Sequence, residues 1–403
     1  MKILIINYHY PPSGTAHSYR WSQLTERFRL LGHDVDIIAG GNSGELDRQL
    51  NVTRVNFPMT VRSSSNLSAN PTGHSAATEV KFSLLKDIKS YILLITKRMY
   101  RSFFWPDGLW HWLPMALIEV YKRRNVKYDL VIGYSPTYSA LLAAKYYKRL
   151  NSEVTLIVDF GDPFSTSKEM PVNNYTFYKN INKRSENKVF QVADLITVTN
   201  QQTAVLYREA HPQINKFKIV PHLVDVDAFY SDHVCSSPSV KIGYIGAFHK
   251  GIREPYLALD VLNKLSVYIS DLQADFYGPL NGIEFRESKK IKHLGVVERD
   301  KAILLTKEFD IIINVENEAC PMTPSKIYEC MASGKPILNF LSSTNTSSFI
   351  GYPLVINISP DTNVAKIAQF INLNSKKRLM RSTVDKCLEG KTLASVADMY
   401  LTK

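Results

Sequence analysis

Lys2-Ile3-Leu4-Ile5-Ile6-Asn7-Tyr8-His9-Tyr10-Pro11-Pro12-Ser13-Gly14-Thr15 opens the sequence with an apolar run that stops abruptly in turn-forming residues. A short, unbroken apolar run bounded in this way reads as a strand covered on both faces of a parallel sheet. From Ala16 onward Trp21, Leu24, Phe28 and Leu31 recur every three or four residues, the period of one helix face, and Gly32 stands where a C-cap is expected. Residues 35–39 form the next apolar run. The opening is therefore a β-loop-α-β unit, and the loop at residues 8–15 lies where its strand ends.

The same alternation recurs along the chain. Residues 129–133 read as a strand, 138–150 as a helix, and 154–159, 194–199 and 217–220 as further strands. Residues 51–83, rich in Ser, Asn and Thr, read as an exposed excursion. After Pro221 the polar residues Asp225, Asp227, Asp232, Ser236, Ser237 and Pro238 suit a linker. Beyond them the pattern restarts, with strands expected at 241–245, 275–277, 311–315 and 335–340. Residues 384–403 carry Leu388, Leu393, Val396 and Met399 at helical spacing. The expectation is an α/β protein with a first domain at 1–225, a second at 226–383, and a C-terminal helix at 384–403 that returns to the first.

Bulk properties agree. A chain of 403 residues exceeds the roughly 250–300 at which a single core stops growing. Hydrophobic residues at 45% and charged residues at 21% are those of a folded protein, not a disordered one. Net charge +12 implies an anionic partner: nucleic acid, a phosphorylated ligand or an acidic membrane surface. Neither zinc-finger spacing nor an RNP-like aromatic motif occurs, so nucleic acid ranks last. Cys235, Cys320, Cys330 and Cys387 form no Cys-x-x-Cys pair, which fits a reducing cytoplasm. The first apolar run is too short for a signal sequence, and no run approaches the roughly 18 apolar residues that a membrane span needs.

One stretch is more specific than the rest. Pro324-Ser325-Lys326-Ile327-Tyr328-Glu329-Cys330-Met331-Ala332-Ser333-Gly334-Lys335-Pro336 resembles the donor-site signature of family 4 glycosyltransferases of the GT-B fold, in the version found in bacterial surface-polysaccharide assembly. Taken alone, it would also suit, less well, an ordinary helix-turn-strand with a polar Glu. Other landmarks similar to that family follow in the family's order. They are the loop from Tyr8 to Thr15, Pro106-Asp107 with Trp112, Ser135-Pro136, Asp159-Phe160-Gly161-Asp162-Pro163, and Ala193-Asp194-Leu195-Ile196. The resemblance thus spans nearly the whole chain.

It implies two Rossmann-like domains facing a central cleft, and transfer of a sugar from a nucleoside diphosphate sugar to a glycan or lipid-linked acceptor. Retention at the anomeric carbon and independence of a metal cofactor are inherited from the resemblance. Pro324 and Ser325 would open a helix whose N–H groups face the diphosphate, with Glu329 on ribose hydroxyls. Gly246, Lys250, Arg253 and Lys326 would serve the phosphates. Ser13, Gly14 and His17 fall to the acceptor side. Asp162 is expected nearest the reacting sugar, with Asp159 as the alternative; an Asp before Pro is as often a turn or a cap. Two departures stand out. A second family glutamate is replaced by Pro321, with Glu316 and Glu318 nearby, and the usual Arg after the glycine is Ala247.

Asp34-Val35-Asp36 and Asp225-Val226-Asp227 match the Asp-x-Asp string of metal-dependent glycosyltransferases, but fall in a strand and in the linker and read as coincidence. Residues 81–112 interleave Lys81, Lys86, Lys89, Lys97, Arg98 and Arg101 with Phe103, Phe104, Trp105 and other apolar residues. That pattern fits either a core-facing helix or one lying on the inner face of the plasma membrane. The competing functions are a sugar-nucleotide epimerase of the same fold and a non-catalytic relative.

Overall fold

The computed structural model describes residues 1–56, 99, 103–166, 168, 172–233, 239–318, 326–341, 349 and 351–402. The chain divides into two compact units, Met1–Val220 and Pro221–Lys403. The division precedes the polar stretch read as a linker, part of which belongs to the second unit.

Among the described residues the first unit holds a seven-stranded sheet in the order β3-β2-β1-β4-β5-β6-β7. Its strands are β1 (Lys2–Ile6), β2 (Asp34–Ala39), β3 (Val52–Arg54), β4 (Leu130–Ser135), β5 (Thr155–Phe160), β6 (Leu195–Val198) and β7 (Phe217–Ile219), and every pairing is parallel. The connecting helices are α1 (Ala16–Leu30), α2 (Trp112–Lys122), α3 (Tyr138–Leu150), α4 (Tyr175–Val192) and α5 (Gln201–Ala210). Thr15 caps α1 by accepting the Ser18 amide at 3.2 Å. Its stripe of Trp21, Leu24 and Phe28 is wholly buried. Each such side chain contributes about 1.5–3 kcal/mol, several times any residue's helix propensity, so packing holds the helix. Leu4, Ile6, Val131, Leu156 and Val158 pack with Trp112, Tyr138, Leu141 and Phe190 to form the core.

The second unit has a six-stranded parallel sheet in the order β10-β9-β8-β11-β12-β13. Its strands are β8 (Val240–Ile245), β9 (Leu272–Tyr277), β10 (Ile291–His293), β11 (Ile311–Val315), β12 (Ile337–Phe340) and β13 (Val355–Ile358). The helices are α6 (Val226–Phe229), α7 (Tyr256–Tyr268), α8 (Arg299–Glu308), α9 (Lys326–Ala332), α10 (Val364–Asn374), α11 (Arg381–Cys387) and α12 (Leu393–Leu401). Strand alternation divides the apolar residues between two layers. Ile313 and Leu338 join Leu262, Leu265 and Ile367, while Ile312 and Ile337 join Phe229, Ile327, Met331 and Val384.

Two polar devices brace this sheet. Asn314 donates to Asn339 at 2.8 Å and Asn339 to Asn357 at 2.9 Å, a ladder of amides at matching positions of β11, β12 and β13. Asn339 also donates to Glu316 at 3.1 Å. The fully buried Lys335 reaches the end of α8, where its ammonium donates to the carbonyls of Lys307, at 2.6 Å, and Phe309. A cation at a helix C-terminus meets the negative end of its dipole.

The structure departs from the sequence reading in places. Strands β3, β10 and β13 were not expected; each has only three or four residues. Asp225 caps α6 by accepting the Ala228 amide at 3.1 Å, Asp227 pairs with Arg381 at 2.5 Å, and Val226 and Phe229 are buried, so this stretch is packed rather than loose. The helix expected over 384–403 is interrupted: α11 ends at Cys387, and Thr392 caps a new helix by accepting the Ser395 amide at 3.3 Å. Both helices lie within the second unit. The basic residues of the 81–112 segment lie outside the described residues. Of its aromatics, Trp112 is buried and Trp105 donates from its indole to Asn182 at 3.0 Å, so those two belong to the core.

Gly278, at the end of β9, has φ +126°, and a Cβ there would lie 2.0 Å from the Gly246 carbonyl oxygen. Close approach of two backbones is thus a condition of this loop. Gly278→Ala should destabilise the second unit by about 1–3 kcal/mol or more. That corresponds to roughly 2–4 °C of melting temperature per kcal/mol. An unchanged calorimetric transition would contradict this account.

Candidate functional site

In each sheet strand order reverses at one place, between β1 and β4 in the first and between β8 and β11 in the second. Loops leaving the carboxyl ends of such neighbouring strands diverge to opposite faces and open a crevice. The candidate residues collect at these two points.

In the first unit the α1 residue His17 meets Tyr134, from the end of β4, with Nδ1 2.6 Å from the phenol oxygen. Its Nε2 lies 3.7 Å from Oδ2 of Asp162, two residues past β5. Side-chain exposures of 25% for His17 and 37% for Asp162 leave both within reach of a substrate. Gly161 makes the arrangement sterically possible, since a Cβ there would lie 2.2 Å from the Tyr134 hydroxyl. His9 stands beside them, its ring centroid 6.5 Å from that of His17. Burial, reinforced by His17, lowers the His9 pKa to about 4, so that imidazole is neutral at physiological pH.

The loop that carries Asp162 is held from below. Ser165 donates its amide, at 3.2 Å, and its hydroxyl to Glu186 of α4, whose carboxylate meets Nε2 of His211 at 2.9 Å. The Phe164 amide donates to Tyr207 at 3.0 Å, and the Phe164 ring stacks on Tyr138 with centroids 3.7 Å apart. Asp159, by contrast, is fully buried. It accepts from Thr197 at 2.7 Å and faces Arg20 at 4.0 Å, which anchors the end of β5. Pro106-Asp107 is likewise structural in its contacts, since Asp107 accepts the amides of Leu109 at 2.8 Å and Ser139 at 3.1 Å. Ser13 and Gly14 lie in the loop after β1, and nothing described lies within 4 Å of a Cβ added at Gly14.

In the second unit Gly246 follows β8, and Arg253 closes the loop. Its guanidinium makes two bonds to Oδ1 of Asn317, at 3.0 and 2.7 Å, while the Glu318 amide donates to the Ile252 carbonyl at 2.6 Å. The loops after β8 and β11 are thereby tied together. Glu329, in α9, accepts from Lys326 at 2.7 Å and from Arg299 at 3.1 Å, with its side chain 13% exposed. Burial raises its pKa, but the two cations outweigh burial and hold it below the usual carboxylate range. Burial pushes the thiol of the neighbouring Cys330 up to about 12. Lys250 is exposed, and Pro324 and Ser325 lie outside the described residues, as does Pro321.

Glu329 and Lys326 are therefore paired in α9, His17 meets Asp162, and Arg253 ties the loop after β8 to Asn317. Arg299, Asn317, Tyr134 and Glu186 are the residues that sequence reasoning missed, and none sits in a local pattern that signals its partner. The carboxylates of the two Asp-x-Asp strings are engaged: Asp34 with Lys2 at 3.4 Å, Asp36 with Tyr128 at 2.6 Å, and the linker pair as described above.

Arg299→Met removes one of the two cations and should move the Glu329 pKa up toward its ordinary value of 4.5. Because the folded value is depressed, the ionised carboxylate contributes stability that is complete above that ordinary value and lost as pH falls through the folded one. The variant should be less stable at neutral pH by roughly 1.5–3 kcal/mol. The difference should shrink in acid, where Glu329 is protonated in both proteins. Urea melts across this range test the pairing, and a gap that is constant with pH would contradict it.

No protein-family model and no curated protein matches this sequence. Solved structures do resemble it. HepE of Anabaena, in complex with UDP and glucose, superposes with a TM-score of 0.60 at 14% identity, covering 100% of this chain and 98% of that one. Sucrose-phosphate synthase from Thermosynechococcus elongatus gives 0.58 at 12% identity, with 99% and 97% covered. The lipopolysaccharide outer core galactosyltransferase WaaB gives 0.55 at 11%, with 100% and 98% covered. What these likenesses establish is the architecture: two parallel-sheet units that together make the GT-B fold of glycosyltransferases.

Proposed function

We propose that the protein is a glycosyltransferase that moves a sugar from a nucleoside diphosphate sugar to a glycan or lipid-linked acceptor. The observation that carries this reading is the group around Glu329. A carboxylate kept ionised by Lys326 and Arg299 is a strong acceptor for ribose hydroxyls, and Lys326 with Arg253 supplies positive charge for a diphosphate. UDP and UDP-glucose bound to the similar Anabaena protein support the same class of donor. The family 4 assignment, retention at the anomeric carbon, hexosyl transfer and a role in capsule or O-antigen assembly are parts of this proposal and rest on the sequence resemblance.

When the bond from the anomeric carbon to the diphosphate breaks, the electron pair goes to the phosphate oxygen. Extra negative charge develops there, and Lys326, Arg253 and Lys250 are the residues proposed to stabilise it. In the first unit, Tyr134 donating to Nδ1 of His17 would fix the proton on Nε2, facing Asp162. Asp162 then orients an acceptor hydroxyl or accepts its proton. Cations from the protein in place of a metal at the diphosphate are the reason to propose metal independence.

Glu329→Gln keeps the shape and removes the charge. It should weaken UDP binding by tenfold or more, equivalent to about 1.5–3 kcal/mol for a charged hydrogen bond. The affinity of the parent should be the same in excess EDTA. Titration calorimetry tests both: equal affinity in the variant removes the ribose role, and affinity restored only by Mg²⁺ or Mn²⁺ removes metal independence.

Peripheral attachment to the cytoplasmic face of the membrane is proposed from the net charge of +12 and the basic residues between 81 and 101. Each Lys or Arg near an anionic surface adds about 1 kcal/mol. Vesicles containing phosphatidylserine should co-sediment the protein at low salt and release it at high salt. The joint substitution Lys86→Glu, Lys89→Glu, Lys97→Glu and Arg98→Glu should abolish this; undiminished binding would assign the attraction to another surface.

A further inference from the structure

The first unit contains a cleft of about 470 Å³, lined by residues of the loop after β1 (Tyr8, His9, Ser13) and of the loop after β2 together with β3 (Gly41, Ser43, Arg54). That volume is within the range of roughly 300–1,000 Å³ usual for small-molecule sites. Its chemistry is distinctive. Arg54 is the one cationic side chain among the described residues of the lining, and its charge is already matched by a two-point ion pair with Asp47, both bonds at 3.0 Å. The remaining guanidinium hydrogens go to the carbonyls of Tyr10, Pro11 and Gly40. His9 adds no positive charge at neutral pH, because burial keeps its imidazole unprotonated.

What remains of the described lining is the rings of Tyr8 and His9, with the hydroxyls of Ser13 and Ser43 and peptide groups beside them. The Tyr8 ring is braced edge-on by Trp112, at 5.5 Å and 90°. Asn56 is fixed by a reciprocal pair of bonds with Gly41, at 2.9 and 2.8 Å, so its amide plane is held in one orientation. Phosphate or carboxylate recognition needs an uncompensated Arg, Lys or cluster of amides. An uncharged ring with several hydroxyls needs a flat apolar surface and fixed neutral donors and acceptors.

We propose that this cleft receives an uncharged sugar ring of the acceptor, and that a phosphorylated part of the acceptor lies elsewhere. The proposal rests on the acceptor role read for the first unit, and it narrows the substrate to a glycan whose ring in this subsite carries neither phosphate nor carboxylate.

The test uses the full-length protein and saturation-transfer NMR. The probes are the methyl glycosides of glucose, galactose, mannose and N-acetylglucosamine, each paired with the 6-phosphate of the same sugar. At least one neutral ring should bind, and its phosphate should bind at least tenfold more weakly. Ser13→Trp and Ser43→Trp fill the cleft from its two loops. Each should weaken the neutral ring at least tenfold while leaving the melting temperature and UDP affinity unchanged. Phosphates that bind as tightly as their parent rings overturn the proposal. So does the absence of binding by every neutral ring from a protein that still binds UDP, or retention of the sugar by both tryptophan variants. A protein that binds the neutral ring in this cleft but not UDP retains the subsite and loses the nucleotide-sugar reading.

Discussion

Parallel strands cannot be joined by tight turns, and that constraint places the candidate site residues of this protein. Each strand must return through a crossover, so every loop between a strand's end and the following helix emerges at the same edge of its sheet. In both units the order reverses once, beside β1 in the first and beside β8 in the second. His17 with Tyr134, and Arg253 with Asn317, meet at those reversals although 117 and 64 residues separate the partners. The chemistry is gathered by topology before any side chain is chosen.

Within that frame, buried charge is matched in a consistent manner. Asp159 has Thr197 and Arg20, Glu186 has Ser165 and His211, Asp310 has Lys376 and Arg378, and Lys335 has two helix carbonyls. Each joins elements far apart in sequence, and each would be costly to leave alone. The two carboxylates proposed to act, Asp162 beside His17 and Glu329 with its two cations, remain partly exposed and lie at the reversals. In the proposed reading, depth separates the bracing carboxylates from the two that act on substrate. Asp159 and Asp162 are three residues apart and fall on opposite sides of that division.

This division also explains how much the sequence disclosed. The strands β1, β4, β5, β8 and β11 were legible because they hold unbroken aliphatic stretches such as Ile3–Ile6 and Ile311–Ile313. The strands β3 and β10 were not, since Val-Thr-Arg and Ile-Lys-His hold a single apolar residue each. Glu329 and Lys326 stood in one recognisable segment, so both were visible. Arg299 was invisible because its partner is 30 residues away and the pairing depends on how α8 and α9 pack. Asp162 could be singled out from the loop it occupies, whereas the clamp beneath it required knowledge that α4 brings Glu186 to Ser165.

The asparagine ladder has a consequence of another kind. Strands β11, β12 and β13 read Ile-Ile-Ile-Asn-Val, Ile-Leu-Asn-Phe and Val-Ile-Asn-Ile. Their aliphatic residues are nearly interchangeable, so hydrophobic burial alone discriminates poorly among ways of aligning them. One asparagine in each supplies the missing information. Displacing β11 against β12 by two residues would part the buried amides of Asn314 and Asn339, at a penalty of about 1–3 kcal/mol per unsatisfied group. The two buried amides thus act as alignment marks between β11 and β12, with Asn357 extending the ladder to the solvent-exposed side of β13, and they make a misaligned pairing of these strands less favourable than the native one.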